Sequence, residues 1–214
     1  MLTFRPNLPA NAVVLCLGAH CDDIEIGCGG TLMELRSRYP ATRFMWHVFS
    51  GEDGRDAETR AAAAHLLGPG CEVTIQQFRA SYMPYSASQV KGYCDQLKAA
   101  GPRPDLIFTH FLHDRHQDHR LIAELTWNTF RDHAVLEYEI PKFEGDLEHP
   151  NVFVPLAEPV VDRKVSILME CFPSQHSRQW FDPDLFRGHL RLRGVECNSP
   201  SRFAEAFHAR KLVL

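Results

Sequence analysis

Val13-Val14-Leu15-Cys16-Leu17 is an unbroken apolar run that ends in a glycine and a polar turn, Gly18-Ala19-His20-Cys21-Asp22-Asp23-Ile24-Glu25. A run without polar alternation fits a strand buried on both faces, and such strands belong to parallel sheets covered by helices. The same order repeats down the chain. Arg43 to Phe49 reads as a second strand, followed by the polar loop Ser50-Gly51-Glu52-Asp53-Gly54 and an alanine-rich helix from Glu58 to Leu67. Val73 to Phe78 reads as a third strand, Ser86 to Ala100 as a helix, Asp105 to Thr109 as a fourth strand and Leu121 to Phe130 as a helix. Strands alternating with helices imply right-handed crossovers and an α/β fold. The expected fold is a single Rossmann-like domain over residues 1–214, with a mostly parallel central sheet and helices on both faces.

Past residue 131 the alternation weakens. Ala134 to Ile140 and Val152 to Leu156 are strand-like, Val160 to Cys171 is helix-like, and Ser201 to Ala209 reads as a short terminal helix. The glycines Gly27-Cys28-Gly29-Gly30 resemble a dinucleotide loop only superficially. The third glycine of G-x-G-x-x-G is missing, and the group lies well behind the strand end where such a loop belongs. They read as close packing where the chain enters a helix, from Gly29 to about Tyr39.

A net charge of −4 gives no basic field for nucleic acid or an anionic membrane. Seven cysteines without a C-x-x-C pair suit free thiols in a reducing compartment. The N-terminal MLTFRPNLPA has no signal-peptide core, and no apolar run approaches the ~20 residues of a membrane span. The expected setting is cytoplasmic. The apolar C-terminus and the 142–156 segment hint at a homo-oligomer.

Polar chemistry concentrates in two loops, each at the carboxyl end of an expected strand, where open α/β sheets bind ligands. The first holds His20, Asp22 and Asp23; the second runs from His110 to Asp118 and on to His119. His20 and Asp23 stand three residues apart in one turn and can face one ion, and the second loop offers His113, His116, Asp118 and His119. Catalytic zinc takes three such nitrogen and oxygen ligands and keeps a position for water.

These residues carry a resemblance. Ala19-His20-Cys21-Asp22-Asp23-Ile24-Glu25 resembles the A-H-P-D-D-x-E signature of the PIG-L/LmbE-like deacetylases, and His116-Gln117-Asp118-His119 resembles their H-P-D-H signature. Softer matches are the Gly51-Glu52 loop, the Arg60 helix ending in Leu67-Gly68, and Ser174-Gln175. The resemblance implies a zinc-dependent hydrolase that removes the acetyl group from an N-acetylated amino sugar. It implies His20, Asp23 and His119 as metal ligands, Asp22 as general base, His116 as the group that stabilises or protonates the tetrahedral species, and Asp118 as the residue orienting His116. Arg60 is implied as a sugar contact. The ion implied is Zn2+, with Fe2+ as the alternative for a site built from two imidazoles and a carboxylate.

Cys21 and Gln117 stand where the family has proline, and Cys21 adds a thiolate candidate beside the metal. His113 and Asp114 lie off the motif and read as substrate-rim or surface residues. His110, His176 and the other histidines receive no role. Two rival readings remain: a zinc amidase for a longer acyl chain or a non-sugar amide, and a non-catalytic Rossmann-like module that binds metal or nucleotide.

Overall fold

The computed structural model describes residues 6–51 and 54–213, so Glu52 and Asp53 lie outside the described residues. Five strands are parallel: β1 (Val13–Gly18), β2 (Arg43–Val48), β3 (Glu72–Ile75), β4 (Leu106–His110) and β5 (Val135–Tyr138). Two more, β6 (Val152–Leu156) and β7 (Phe203–His208), complete a seven-stranded sheet in the order β3-β2-β1-β4-β5-β7-β6. β7 runs antiparallel to both of its neighbours. The helices are α1 (Asp23–Arg38), α2 (Asp56–Leu67), α3 (Ala87–Ala100), α4 (Gln117–Thr129), α5 (Glu158–Cys171) and α6 (Pro183–Glu196).

Alternation along each strand explains the layers. Val14 and Cys16 of β1, Phe44 and Trp46 of β2, and Phe108 of β4 join one apolar cluster with residues of α1, α2 and α5. Leu15 and Leu17, Met45 and Ile107 point the other way, into a cluster with residues of α3 and α4. Both faces of the sheet are therefore covered, and the continuous apolar runs follow from that.

The chain order places the switch point of this sheet between β1 and β4. The crossover from β1 runs outward through β2 and β3, then returns to place β4 on the other side of β1. The loops leaving β1 and β4 therefore splay apart above the sheet and leave a crevice there. Both polar loops of the sequence lie at this crevice.

Several element boundaries differ from the sequence reading. α1 begins at Asp23, directly after the polar turn, so the glycines are inside the helix and not at its entrance. They serve packing as expected: a Cβ on Gly27 would lie 2.2 Å from the Tyr138 ring, and one on Gly30 would lie 2.5 Å from Leu156. α4 begins at Gln117, ahead of the expected Leu121, with His116 as its N-cap. α6 has no counterpart in the sequence reading. The expected helix at Ser201 to Ala209 is the strand β7. Its alanines and glutamate favour helix locally, but pairing to β5 and β6 overrides that preference. The buried Glu205 shows what the strand conformation secures. Its carboxylate accepts the Gly30 and Thr31 amides of α1 at 2.8 and 2.6 Å and pairs with the buried Lys164 of α5 at 2.6 Å. Lys164 also donates to the Ile26 carbonyl at 2.6 Å, so the pair is inserted into the α1 hydrogen-bond ladder.

A second buried ion pair holds the far side. Arg193 of α6 forks onto Glu139, just past β5, at 3.0 and 2.9 Å, and His189 and His208 lie 3.5 and 3.4 Å from the same carboxylate. Burial alone raises a carboxyl pKa, but these histidines and Arg193 outweigh it and hold Glu139 down at about 2. An unfolded glutamate titrates at about 4.3. The depressed group therefore stabilises the fold above about pH 4.3, and this contribution is lost as pH falls toward about 2. Glu139→Gln should cost up to about 3 kcal/mol near neutral pH, the worth of a carboxyl pKa held at about 2, while Arg193 keeps Glu196 at 2.8 Å. The deficit against the parent should shrink as pH falls from about 4.5 to about 2.5, read from denaturant unfolding at each pH.

Candidate active site

β1 and β4 are adjacent and parallel, with Cys16 opposite Phe108, so the turns that follow them face each other across the crevice, where their side chains meet. In the first turn, Asp22 is the N-cap of α1 and Asp23 its first residue, where the helix dipole favours negative charge. The Asp23 carboxylate accepts the His20 amide at 2.6 Å, which pins the turn. In the second turn, the N-cap imidazole of His116 accepts the Asp118 amide at 3.3 Å. Asp118 and His119 are thereby fixed in the first turn of α4.

Three side-chain groups converge at this meeting point. His20 Nδ1 lies 3.2 Å from His119 Nε2 and 3.4 Å from Asp23 Oδ2, and His119 Nε2 lies 3.4 Å from Asp23 Oδ1. Ligands about 2.0–2.1 Å from a tetrahedral zinc ion stand roughly 3.3–3.4 Å apart, and the three groups approach one another at that spacing, with the two histidines meeting different oxygens of the Asp23 carboxylate. The distal nitrogens reinforce the fit. His119 Nδ1 bonds Asp114 Oδ2 at 3.0 Å, and His20 Nε2 bonds Asp118 Oδ2 at 3.1 Å. In its neutral form each imidazole can donate to its carboxylate and turn the other nitrogen's lone pair inward, as metal-ligating histidines do. His116 belongs to one overlapping group with His20 and His119, and His110 to another with Asp23 and His119; both groups also have metal-holding geometry.

The electrostatics ask for a cation. Burial works against charging His20, but Asp118 and Asp23 prevail and push its pKa up to about 10. His119, buried beside His110, is pushed down to about 3. Asp22 is raised to about 6 by burial, against the pull of Arg55, whose guanidinium lies 2.9 Å from its carboxylate. A carboxylate in that range is matched to proton transfer near neutral pH. His116 is lowered, first by burial and then by the charge on His20. The expected partnership between Asp118 and His116 is therefore not the one formed. The Asp118 carboxylate sits on His20 and on the Ser81 and Met83 amides at 2.6 and 3.2 Å, and the pull of Asp23, Asp118 and Asp114 on His116 is outweighed by burial and by His20.

A cavity of about 320 Å3 opens over the cluster, bordered by His20, Asp22, Asp23, His116 and His119 together with Arg55 and Trp180. Arg60 does not border it; its guanidinium donates to the Val73 carbonyl at 2.8 Å, on the exposed side of α2. The arginines that border it are Arg55, from the loop before that helix, and Arg178. Cys21 is turned away. Its thiol donates to the Ser50 carbonyl at 3.3 Å, and burial pushes its pKa up to about 12, which disfavours a ligating thiolate. His176 caps the Met169 carbonyl at 2.8 Å, and Gln175 borders the cavity in its place.

Two residues that matter here depart from their sequence reading. Asp114 is buried, not at the rim, and besides His119 it binds Lys142 at 2.9 Å. His110, given no role by the sequence, is fully buried, accepts the Ala19 amide at 2.9 Å, lies 3.2 Å from Asp23, and stacks on the His119 ring at 3.9 Å. The signal is present in the series His110, Asp114, His116, Asp118, His119, which mixes histidines and carboxylates ahead of and within the recognised motif.

Comparison with known proteins falls on the same region. The family model for PIG-L, GlcNAc-PI de-N-acetylase, matches residues 15–130. The uncharacterized deacetylase YaiS of Escherichia coli K12 is 32% identical over 139 residues, 60% of this chain and 74% of that protein. Among solved structures, N,N'-diacetylchitobiose deacetylase from Pyrococcus horikoshii superposes with a TM-score of 0.69 at 19% identity, over 92% of this chain and 83% of its own. The 4-carboxy-2-hydroxymuconate hydratase GalB of Pseudomonas putida KT2440 does so with a TM-score of 0.72 at 16% identity, over 95% and 98%. The structural likenesses are likenesses of fold, and the hydratase shows that the fold hosts more than one chemistry.

If Asp114 and Asp118 orient the two histidines, Asp114→Ala and Asp118→Ala should each weaken zinc binding by about 10–100-fold in a chelator competition. Cys21→Ser should leave it unchanged.

Proposed function

The chain belongs to the PIG-L family of deacetylases, and on that premise we propose that it is a metal-dependent N-deacetylase acting on an N-acetylated amino sugar. The observation that carries the reading is the convergence of His20 Nδ1, His119 Nε2 and the Asp23 carboxylate, with both histidines backed by buried carboxylates. We assign His20, Asp23 and His119 as the ligands. A donor set of two imidazoles and one carboxylate suits zinc, with ferrous iron as the alternative. Such an ion, when bound, polarises a carbonyl and lowers the pKa of a water.

The other residues divide the remaining work. Asp22 borders the cavity beside Asp23 and is paired with Arg55, outside the three ligand groups. It is placed to take the proton of the attacking water and deliver it to the leaving amine. Arg55 holds that carboxylate in position and keeps it largely ionised near neutral pH. His116 faces the same cavity with its Nδ1 occupied by the Asp118 amide, which leaves Nε2 for the substrate oxygen. A neutral imidazole donates from that nitrogen, and a donor aimed at a developing oxyanion typically contributes on the order of 10²–10³ in rate. Trp180, at the cavity wall, offers a flat apolar face of the kind a pyranose ring packs against.

Release of acetate from N-acetylglucosamine glycosides is the direct test. Asp22→Asn should lower kcat/KM by about 10²–10⁴ while zinc content per chain stays at the parent level. Full hydrolysis in that variant would remove Asp22 as the base. His116→Ala should lower kcat by about 10²–10³. Arg55→Ala should be impaired in kcat, whereas Arg60→Ala should stay within about twofold of the parent in both kcat and KM.

A further inference from the structure

A second cavity, of about 490 Å3, adjoins the first. The two share Lys142, Phe143 and Trp180, so the second space lies directly beside the one over the cluster. Its remaining wall is largely apolar: Pro141, Leu147 and Leu185 with the side chain of Gln179. Phe143 is 75% exposed and Leu147 39% exposed, an apolar surface left open beside a catalytic crevice.

Charge narrows the occupant. Lys142, the cation among these lining residues, is already held by Asp114 at 2.9 Å and by Asp146 at 2.7 Å. Asp182 adds a carboxylate, which caps α6 by accepting the Asp184 amide at 2.8 Å. Among the described residues the second cavity's own wall therefore offers no spare positive charge and presents the Asp182 carboxylate, Arg178 bordering the first cavity and not this one, which disfavours a phosphate or carboxylate in the second space. The first cavity, at about 320 Å3, is at the small end of ligand sites, so a larger substrate must extend beyond it.

We propose that the second cavity is an aglycone subsite that takes an uncharged apolar group, aryl or alkyl, attached to the sugar whose N-acetyl group lies over His20, Asp23 and His119. The inference rests on the N-deacetylase reading above. Trp180 and Phe143 stand at the junction of the two cavities and contact both sugar and aglycone. Leu147 and Leu185 contact the aglycone alone. Burying even two or three methylene equivalents there amounts to roughly tenfold or more in affinity.

The test compares deacetylation of the methyl, phenyl and octyl β-glycosides of N-acetylglucosamine and of its 1-phosphate. The phenyl and octyl glycosides should exceed the methyl glycoside in kcat/KM by about tenfold or more, chiefly through KM, and the 1-phosphate should fall below it. Leu147→Asp and Leu185→Asp, on separate segments and checked for folding by thermal melting, should remove that gain and leave the methyl glycoside rate unchanged. A phenyl-to-octyl preference would tell aryl from alkyl. Equal kcat/KM for all three glycosides, or a gain that survives both substitutions, overturns the subsite and leaves the deacetylase reading intact. Binding of phenyl β-D-glucoside, which has no acetamide, is followed separately by tryptophan fluorescence. If no glycoside is deacetylated but this probe binds and Leu147→Asp abolishes the binding, the sugar-deacetylase reading falls and the apolar subsite stands. If the probe does not bind either, both fall.

Discussion

Four carboxylates, those of Asp22, Asp23, Asp114 and Asp118, are buried around two adjoining loops, and satisfying them dictates much of the surrounding structure. Buried charge of one sign is costly unless each group is paired and hydrogen-bonded. Asp118 takes two backbone amides from residues 81 and 83 and an imidazole. Asp114 takes the His116 amide, His119 and Lys142. Asp22 takes Arg55 from the loop after β2. Asp23 is left facing imidazoles and the His20 amide. The segments that converge on the crevice, after β1, β2, β4 and β5 and around residue 81, are each tied to one of these carboxylates. Among the described residues, two permanent cations, Arg55 and Lys142, are paired with these four carboxylates, and Lys142 also serves Asp146. The strong tendency of His20 to hold a proton is the visible sign of this imbalance. A divalent ion held at the same place would relieve it, with the His20 lone pair turned inward.

This arrangement follows from topology before it follows from side chains. The loops of β1 and β4 diverge at the reversal of strand order, and only there does a parallel sheet leave a crevice above its own edge. The helices that begin at Asp23 and Gln117 both start within the polar turns, so their first-turn residues are rigid. A ligand on the first turn of a helix is positioned by backbone hydrogen bonds rather than by a mobile loop, which is what a site tolerant of only a few tenths of an ångström requires.

The sequence is most legible where burial is two-sided. Val13 to Leu17 can hardly be anything but an interior strand, and each of the five parallel strands falls on a segment that reads as one. It is least legible where a segment is defined by distant partners. Phe203 to His208 carries alanine and glutamate that favour helix, and only the α1 amides and Lys164 that wait for Glu205 explain its extended form. α6 begins with a proline and a capping aspartate but mixes arginines, glycines and leucines without a clean stripe. At the site, the motif residues meet as their spacing suggests, while their supporting partners cannot be assigned by adjacency. Asp118 sits two residues from His116 yet bonds His20, 98 positions away, because the first turn of α4 points its carboxylate across the crevice. Arg60 and Arg55 illustrate the same point: little more than one helix turn separates them, and the one outside the alanine-rich stretch reaches Asp22.

The fold alone does not choose the reaction, since a hydratase shares it. At this site two neighbouring carboxylates are held in different states. Asp23 is held well below the ordinary range by its histidines and is suited to stay ionised against a cation. Asp22, one residue earlier, is lifted toward neutrality by burial and restrained by a single arginine, and is suited to exchange a proton. Adjacent residues acquire opposite tendencies because one faces the imidazoles across β4 and the other faces Arg55 across β2. The sheet order that separates β2 from β4 by the width of β1 is therefore what gives the two adjacent carboxylates their different surroundings.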